Sequence, residues 1–213
     1  MLEVIKKRYD LAGPRVVEAL KRNHFEACYV STAAEALDKI VEFIPKEHVV
    51  SWGGSMTMQE LGVQQRLAQE GYPVLDRESV STPEEKEELM RKALLCDTYI
   101  MSSNAISADG QLFNIDGTGN RVAALCFGPK SVIVVAGMNK VVGSMEEACD
   151  RVRHYVAPCN MQRFPERKTP CAATGLCGDC HSVDCICNQV VATRNCRPVG
   201  RIKVILVGED LGI

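Results

Sequence analysis

The stretch from Tyr99 to Val142 constrains the fold of this chain more than any other. Two apolar runs, Tyr99 to Met101 and Ser131 to Ala136, read as strands, and they bracket a loop set with Asn104, Asp109, Gly110, Asn114, Asp116, Gly117, Thr118, Gly119, Asn120 and Arg121. Gly accepts positive φ without strain and Asn and Asp tolerate it, so this segment is built to turn sharply or to come close to a ligand. The run from Val122 to Phe127 then reads as a helix. Its bare N-terminal N–H groups, with Arg121 beside them, would attract an anion.

Around that stretch, apolar strands alternate with amphipathic helices. Strands are expected within His24 to Val30, Val49 to Trp52, Tyr72 to Asp76 and Arg201 to Glu209, and Ser131 to Val142 reads as one long strand. The helix after Val30 opens at Ser31 or Thr32 with Glu35 as its capping-box partner, and a later one opens at Thr82 with Pro83 in its first turn. The acidic run Glu84 to Glu88 is read as the solvated, dipole-compensating start of that helix. Another helix runs from Ser144 to about Val156, and Gly13 and Pro14 are expected to split residues 3–23 into two helices. The βα alternation predicts one domain over residues 1–213, a three-layer α/β/α fold with a mainly parallel sheet. A cysteine-rich insertion at about 159–196 precedes the last strand.

A net charge of −2 and the absence of any basic run beyond the Lys6-Lys7-Arg8 triplet argue against general nucleic-acid binding. Apolar runs such as Ser131 to Met138 are strand-sized, far short of a bilayer span, and the start of the chain has no apolar signal core. A cytoplasmic protein is expected. Of 11 cysteines, Cys28, Cys96, Cys126 and Cys149 lie scattered in apolar segments and are expected in the core. The other seven fall between Cys159 and Cys196, where metal or redox chemistry is favoured over disulfides.

Two loops carry the candidate small-molecule site. After the strand at Trp52, Gly53, Gly54 and Ser55 lead into a helix bearing Thr57 and Glu60, a strand–turn–helix arrangement that cradles phosphates or carboxylates. Ser55 is equally a plain helix cap. Glu60 could act as a general base from that helix, with an exposed surface carboxylate as the alternative reading. Asp116 is the second candidate catalytic carboxylate. In the other loop, Asp109-Gly110 alone is a hairpin turn with a return strand from Leu112 to Ile115, but the polar cluster from Asn114 to Arg121 exceeds what a hairpin needs. His24, His48 and His154 read as ordinary packing or surface residues, and Trp52 as packing beneath the Gly53-Gly54-Ser55 loop.

The pattern Asn104, Asp109-Gly110, Asn114, Gly117-Thr118 resembles the loop of the ribose-phosphate isomerase, glucosamine-phosphate deaminase and CoA-transferase-like superfamily. Nearly the whole chain, from Gly53-Gly54-Ser55 through the cysteines, is similar to the lactate-utilisation (LUD) domain family. Asn104 stands where the isomerases carry a catalytic Asp, and Ile115 where they carry a Lys, so sugar isomerisation by their scheme is not expected. The glutamate motif of CoA transferases is also missing. The resemblance implies instead a domain that binds a small anionic metabolite and works with iron–sulfur partner proteins in oxidising lactate or a related hydroxy acid. A stand-alone phosphosugar- or CoA-ester-type enzyme and a non-catalytic, metal-stabilised sensor or scaffold are the alternatives. A homo-oligomer is compatible with each, and no nucleotide cofactor is indicated.

The tail motif places Cys171, Cys177, Cys180 and Cys187 with five, two and six residues between them, and Cys185 and His181 stand close enough to substitute. Four thiols at this density favour a metal, because neighbouring thiolates repel unless a cation gathers them. Zn2+ and a [4Fe-4S] cluster both fit the spacing; the redox setting that the resemblance implies tilts the reading to iron–sulfur.

Overall fold

The computed structural model describes residues 1–213. The chain opens with helix α1 (Glu3–Arg22), strand β1 (Glu26–Val30), helix α2 (Ala33–Glu42) and strand β2 (Val50–Trp52). Helices α3 (Met56–Leu61) and α4 (Val63–Gln69) lead to β3 (Val74–Leu75), α5 (Pro83–Lys92) and β4 (Thr98–Met101). Then come β5 (Ala105–Ser107), β6 (Leu112–Asp116), α6 (Asn120–Cys126), β7 (Ser131–Gly137) and β8 (Val141–Val142). The rest comprises α7 (Met145–Arg151), α8 (Ala157–Met161), α9 (Pro170–Thr174), β9 (Gln189–Thr193) and β10 (Ile202–Val207).

Six strands form one sheet in the order β1-β10-β7-β4-β2-β3, and every neighbouring pair runs parallel. The two-residue side-chain period of β7 explains the layers. Val132, Val134 and Ala136 face a core shared with Val16, Val17 and Leu20 of α1 and Leu125 of α6. Ile133 and Val135 face the opposite core, shared with Ile40 of α2, Met58 of α3 and Leu67 of α4. A strand buried on both sides has to be apolar throughout, which is why β7 shows no polar alternation.

The local signals for helix ends hold. Thr32 Oγ1 accepts the Glu35 N–H at 3.3 Å while the Glu35 carboxylate accepts the Ser31 N–H at 2.8 Å, so both hydroxyl residues take part in that start. Thr82 and Glu85 form a complete capping box with Pro83 in the first turn of α5. Trp52 is buried in the α2–α4 core, next to the glycine turn. His48 hydrogen-bonds Thr98 Oγ1 at 2.8 Å, a packing role.

Several expectations are corrected. Residues 3–22 form one helix with Pro14 inside it, not two. Gly13 is there for close packing: an added Cβ would lie 2.3 Å from the Tyr29 ring. The buried stripe Tyr9, Val16, Val17 and Leu20 spans the proline, and its burial outweighs the hydrogen bond that Pro14 removes. The apolar run from Ser131 to Val142 divides, because β7 ends at Gly137 and Val141–Val142 joins a second sheet. That sheet, β8-β5-β6-β9, mixes parallel and antiparallel pairs and packs on Ala148, Val152 and Val156. Its strand β9 lies inside the cysteine-rich segment and has an alternating, half-exposed pattern too weak to stand out in sequence. Helix α7 continues through a π-helical turn, Val152–Val156, into α8. Of the four cysteines expected in the core only Cys96 is buried; Cys28 and Cys149 are half-buried, and Cys126 is exposed at the last turn of α6. No helix is long and apolar enough to cross a membrane.

Candidate functional site

Ligands of open α/β sheets bind beyond the carboxyl ends of the strands. Here the ends of β2, β4 and β7 deliver Gly54-Ser55, Ser102-Ser103-Asn104 and Lys140 to one side of the sheet, where they line a cavity of about 870 Å³. The β6–α6 turn supplies Asp116, Gly117, Thr118, Asn120 and Arg121, and Thr57 reaches in from α3. The two candidate loops therefore meet. Arg77, Lys86, Arg163 and Arg167 also line the cavity. Six basic side chains line the cavity against two acidic ones, Glu78 and Asp116.

Arg121 ties the second loop together. Its Nη1 donates to Asn114 Oδ1 at 2.7 Å and to the Ser102 carbonyl at 3.1 Å, and its Nη2 to Asn104 Oδ1 at 2.9 Å and the Ile115 carbonyl at 2.7 Å. Its Nε donates to Asp116 Oδ2 at 3.2 Å. Burial pushes the guanidinium below its ordinary pKa, and the Asp116 carboxylate counters that shift. A planar fork with five donors suits this role, which a lysine could not fill. Asp116 Oδ1 in turn accepts the N–H groups of Thr118 at 3.1 Å and Gly119 at 2.7 Å, so the carboxylate holds the turn that starts α6. Gly119 sits at φ 93°, the left-handed region that favours glycine. Asn114 is fully buried behind Arg121 and leaves its Nδ2 without a hydrogen-bond partner.

Other sequence candidates take up structural posts outside the cavity lining. Gly53 packs against the Arg121 side chain and the Tyr99 hydroxyl. Asp109 and Gly110 form the β5–β6 turn against α1, where Asn23 Nδ2 donates to both of their carbonyls at 2.9 Å. A Cβ on Gly110, already at φ 86°, would lie 2.5 Å from the backbone of Ala19. Glu60 Oε2 accepts the Gly212 N–H at 2.7 Å and so anchors the end of the chain. Ser55, which does line the cavity, has a structural post as well: its Oγ caps α3 by accepting the Met58 N–H at 3.4 Å.

Lys140 is the residue that the sequence reading missed. It is 4 % exposed, and its Nζ donates to Thr57 Oγ1 at 2.9 Å and Ser102 Oγ at 3.0 Å. Burial, with the Arg151 and Arg121 charges adding to it, pulls its pKa from the ordinary lysine value down to about 7. The available signal was a lone charge wedged between the apolar run ending at Met138 and Val141-Val142.

The cysteines gather elsewhere. Cys171, Cys177, Cys180, Cys185, Cys187 and His181 line a second cavity of about 520 Å³, and all 11 cysteines are free thiols. Burial, reinforced by Cys185, Cys171 and Cys177, pushes the Cys187 thiol up to about 12. Thiols that disturb one another's ionisation suit a soft cation by donor chemistry, although no three side chains stand arranged to hold an ion. Cys196 lies apart from this group, buried in the core, where its Sγ accepts the Ile202 N–H at 3.2 Å.

A crystal structure of a DUF162 family protein from Deinococcus radiodurans matches 93% of this chain and 98% of its own at 15% identity, with a TM-score of 0.57, a likeness of fold. The structure of eIF2B delta from Chaetomium thermophilum, 20% identical over 52% of this chain and 48% of its own, has a TM-score of 0.33, too low for a comparison of folds. No curated protein matches the chain. The family model described as LUD domain matches residues 13–207. On a match across that much of its length, together with the shared fold, the chain belongs to the LUD domain family.

Proposed function

We propose that this LUD-domain protein binds a small anionic metabolite, a carboxylate or a phosphate ester, in the cavity at the carboxyl ends of β2, β4 and β7. One observation carries the reading: six basic side chains against two acidic ones around a single concave site. The excess charge needs a counter-ion, and a ligand anion supplies it. The Asn104–Asn114–Arg121 network braces the wall of the site, which lowers the ordering cost of binding. In the setting that family membership favours, the ligand is lactate or a related hydroxy acid, oxidised together with iron–sulfur partner proteins.

Calorimetry on the full chain with L-lactate, oxalate, inorganic phosphate, ribose 5-phosphate and acetyl-CoA tests the binding. A ligand at about a hundredfold excess over its Kd should stabilise the fold by about 2.7 kcal/mol. Binding confined to the small carboxylates supports the hydroxy-acid reading, whereas tight binding of the sugar phosphate or acyl-CoA moves the protein to the stand-alone enzyme class. If none binds, the proposal fails. Lactate-dependent dye reduction by reconstituted partners, measured with and without this chain, tests its part in the oxidation.

A second reading rests on the thiol-lined cavity. Cys171, Cys177, Cys180 and Cys187, with Cys185 and His181 nearby, would hold Zn2+ or a [4Fe-4S] cluster. Zinc would clamp the segment, and a cluster would supply electron transfer. What supports this reading is that all six donors line one cavity.

A further inference from the structure

Lys140 differs from the paired lysines of the surface. Lys6, Lys39, Lys46 and Lys130 each face a carboxylate across an exposed ion pair. The Lys140 amine instead meets two hydroxyls, Thr57 Oγ1 at 2.9 Å and Ser102 Oγ at 3.0 Å, at the floor of the large cavity. The charged groups that face it are Arg151 on α7, Arg121 on α6 and Glu60 on α3, and the Glu60 carboxylate is already engaged by the Gly212 N–H. A buried amine under the influence of two guanidinium charges gives up its proton easily, and an unprotonated amine is a nucleophile.

We propose that Lys140 forms an imine with the carbonyl group of a small 2-oxo carboxylate bound in this cavity. The inference rests on the anion-binding reading of the site and adds the substrate class and the reacting atom. The Nζ lone pair attacks the carbonyl carbon; a C–N bond forms, and the carbonyl oxygen takes up a proton as nitrogen loses one. That oxygen then leaves as water as the C=N bond forms. Amine and ketone give imine and water, with no change of oxidation state. The hydroxyls of Thr57 and Ser102, in contact with the nitrogen, are placed to relay the proton. The positive charges of Arg121 and Arg151 act on the amine, and the basic side chains of the cavity lining favour an anionic substrate. A 2-oxo carboxylate carries both the anion and the carbonyl group in one small molecule.

The test uses the full native chain with pyruvate and borohydride, followed by intact mass and peptide mapping. One reduced adduct per chain is expected, on Lys140, at least tenfold above any other lysine. Oxalate, which has no ketone, should compete it away, and Lys140→Arg should abolish it. No adduct, or adducts spread over the exposed lysines, overturns the proposal. Calorimetry with oxalate on the same sample separates the two readings: oxalate binding without an adduct removes only the imine, and neither result removes the anion site as well.

Discussion

Arg121 Nη1 donates to Asn114 Oδ1 at 2.7 Å, and Asn114 Oδ1 also accepts the Asn104 N–H at 3.3 Å. Asn104 Oδ1 accepts in turn from Arg121 Nη2 and from the Ile115 N–H. Two amides and one guanidinium thus lock the end of β4, the strand β6 and the start of α6 into one unit. Neither asparagine needs to titrate to do this, and the network explains amides at positions where a catalytic carboxylate could have stood.

Replacing Arg121 by Ala takes a donor from five acceptors and the counter-charge from the Asp116 carboxylate, so a loss on the order of 3–5 kcal/mol is expected. Arg121→Lys should recover less than half of it, because an ammonium cannot serve the same fork. Urea unfolding measures both, and a Lys variant as stable as the native protein would refute the network.

Lys140 imposes a pH dependence. Below about 7 it is protonated in both folded and unfolded chains, and the fold bears the cost of a buried charge. Above that, up to the ordinary lysine value, the unfolded chain holds a proton the folded chain has lost, so stability rises with pH. The stability of the native protein relative to Lys140→Met should therefore climb between pH 8 and 10 by up to ~1.4 kcal/mol per unit. A difference that stays flat over this range would place the amine in a solvated setting.

Gly110→Ala tests the hairpin. The new Cβ would meet the Ala19 backbone at 2.5 Å in a residue held at φ 86°. Left-handed strain and overpacking together put the cost on the order of 2–4 kcal/mol. Because the turn lies outside the cavity lining, oxalate affinity, where the fold persists, should change less than threefold; a selective loss of affinity would assign the turn to the site.

Metal analysis and a visible spectrum of anaerobically purified protein test the thiol-lined cavity. Bound zinc or iron is expected to disappear in Cys177→Ser/Cys180→Ser. The Cys126→Ser variant, at an exposed thiol far along the chain from the motif, should keep it. Metal retained by the double variant would exclude this ligand set.

Much of the architecture is legible in the sequence. Apolar runs of strand length, separated by amphipathic stretches that begin at Thr32 and Thr82, specify parallel strands covered by helices, because these signals act within a few residues of chain. The Asp109-Gly110 turn was equally local. Pro14 misled, since a helix-breaking signal is weighed against the burial of a whole face, and that face exists only once α1 meets the sheet.

The sequence by itself determined which residues could line a site at strand ends: glycines, amides and hydroxyls following apolar runs. Tertiary structure decided which of them do. Strand order sets β2, β4 and β7 within reach of one another, and so brings Lys140 to Thr57 and Ser102, 83 and 38 positions away. Such an arrangement leaves no periodicity to read, because a contact between distant segments is set by sheet topology, and an amine becomes unusual only when its neighbours have excluded water.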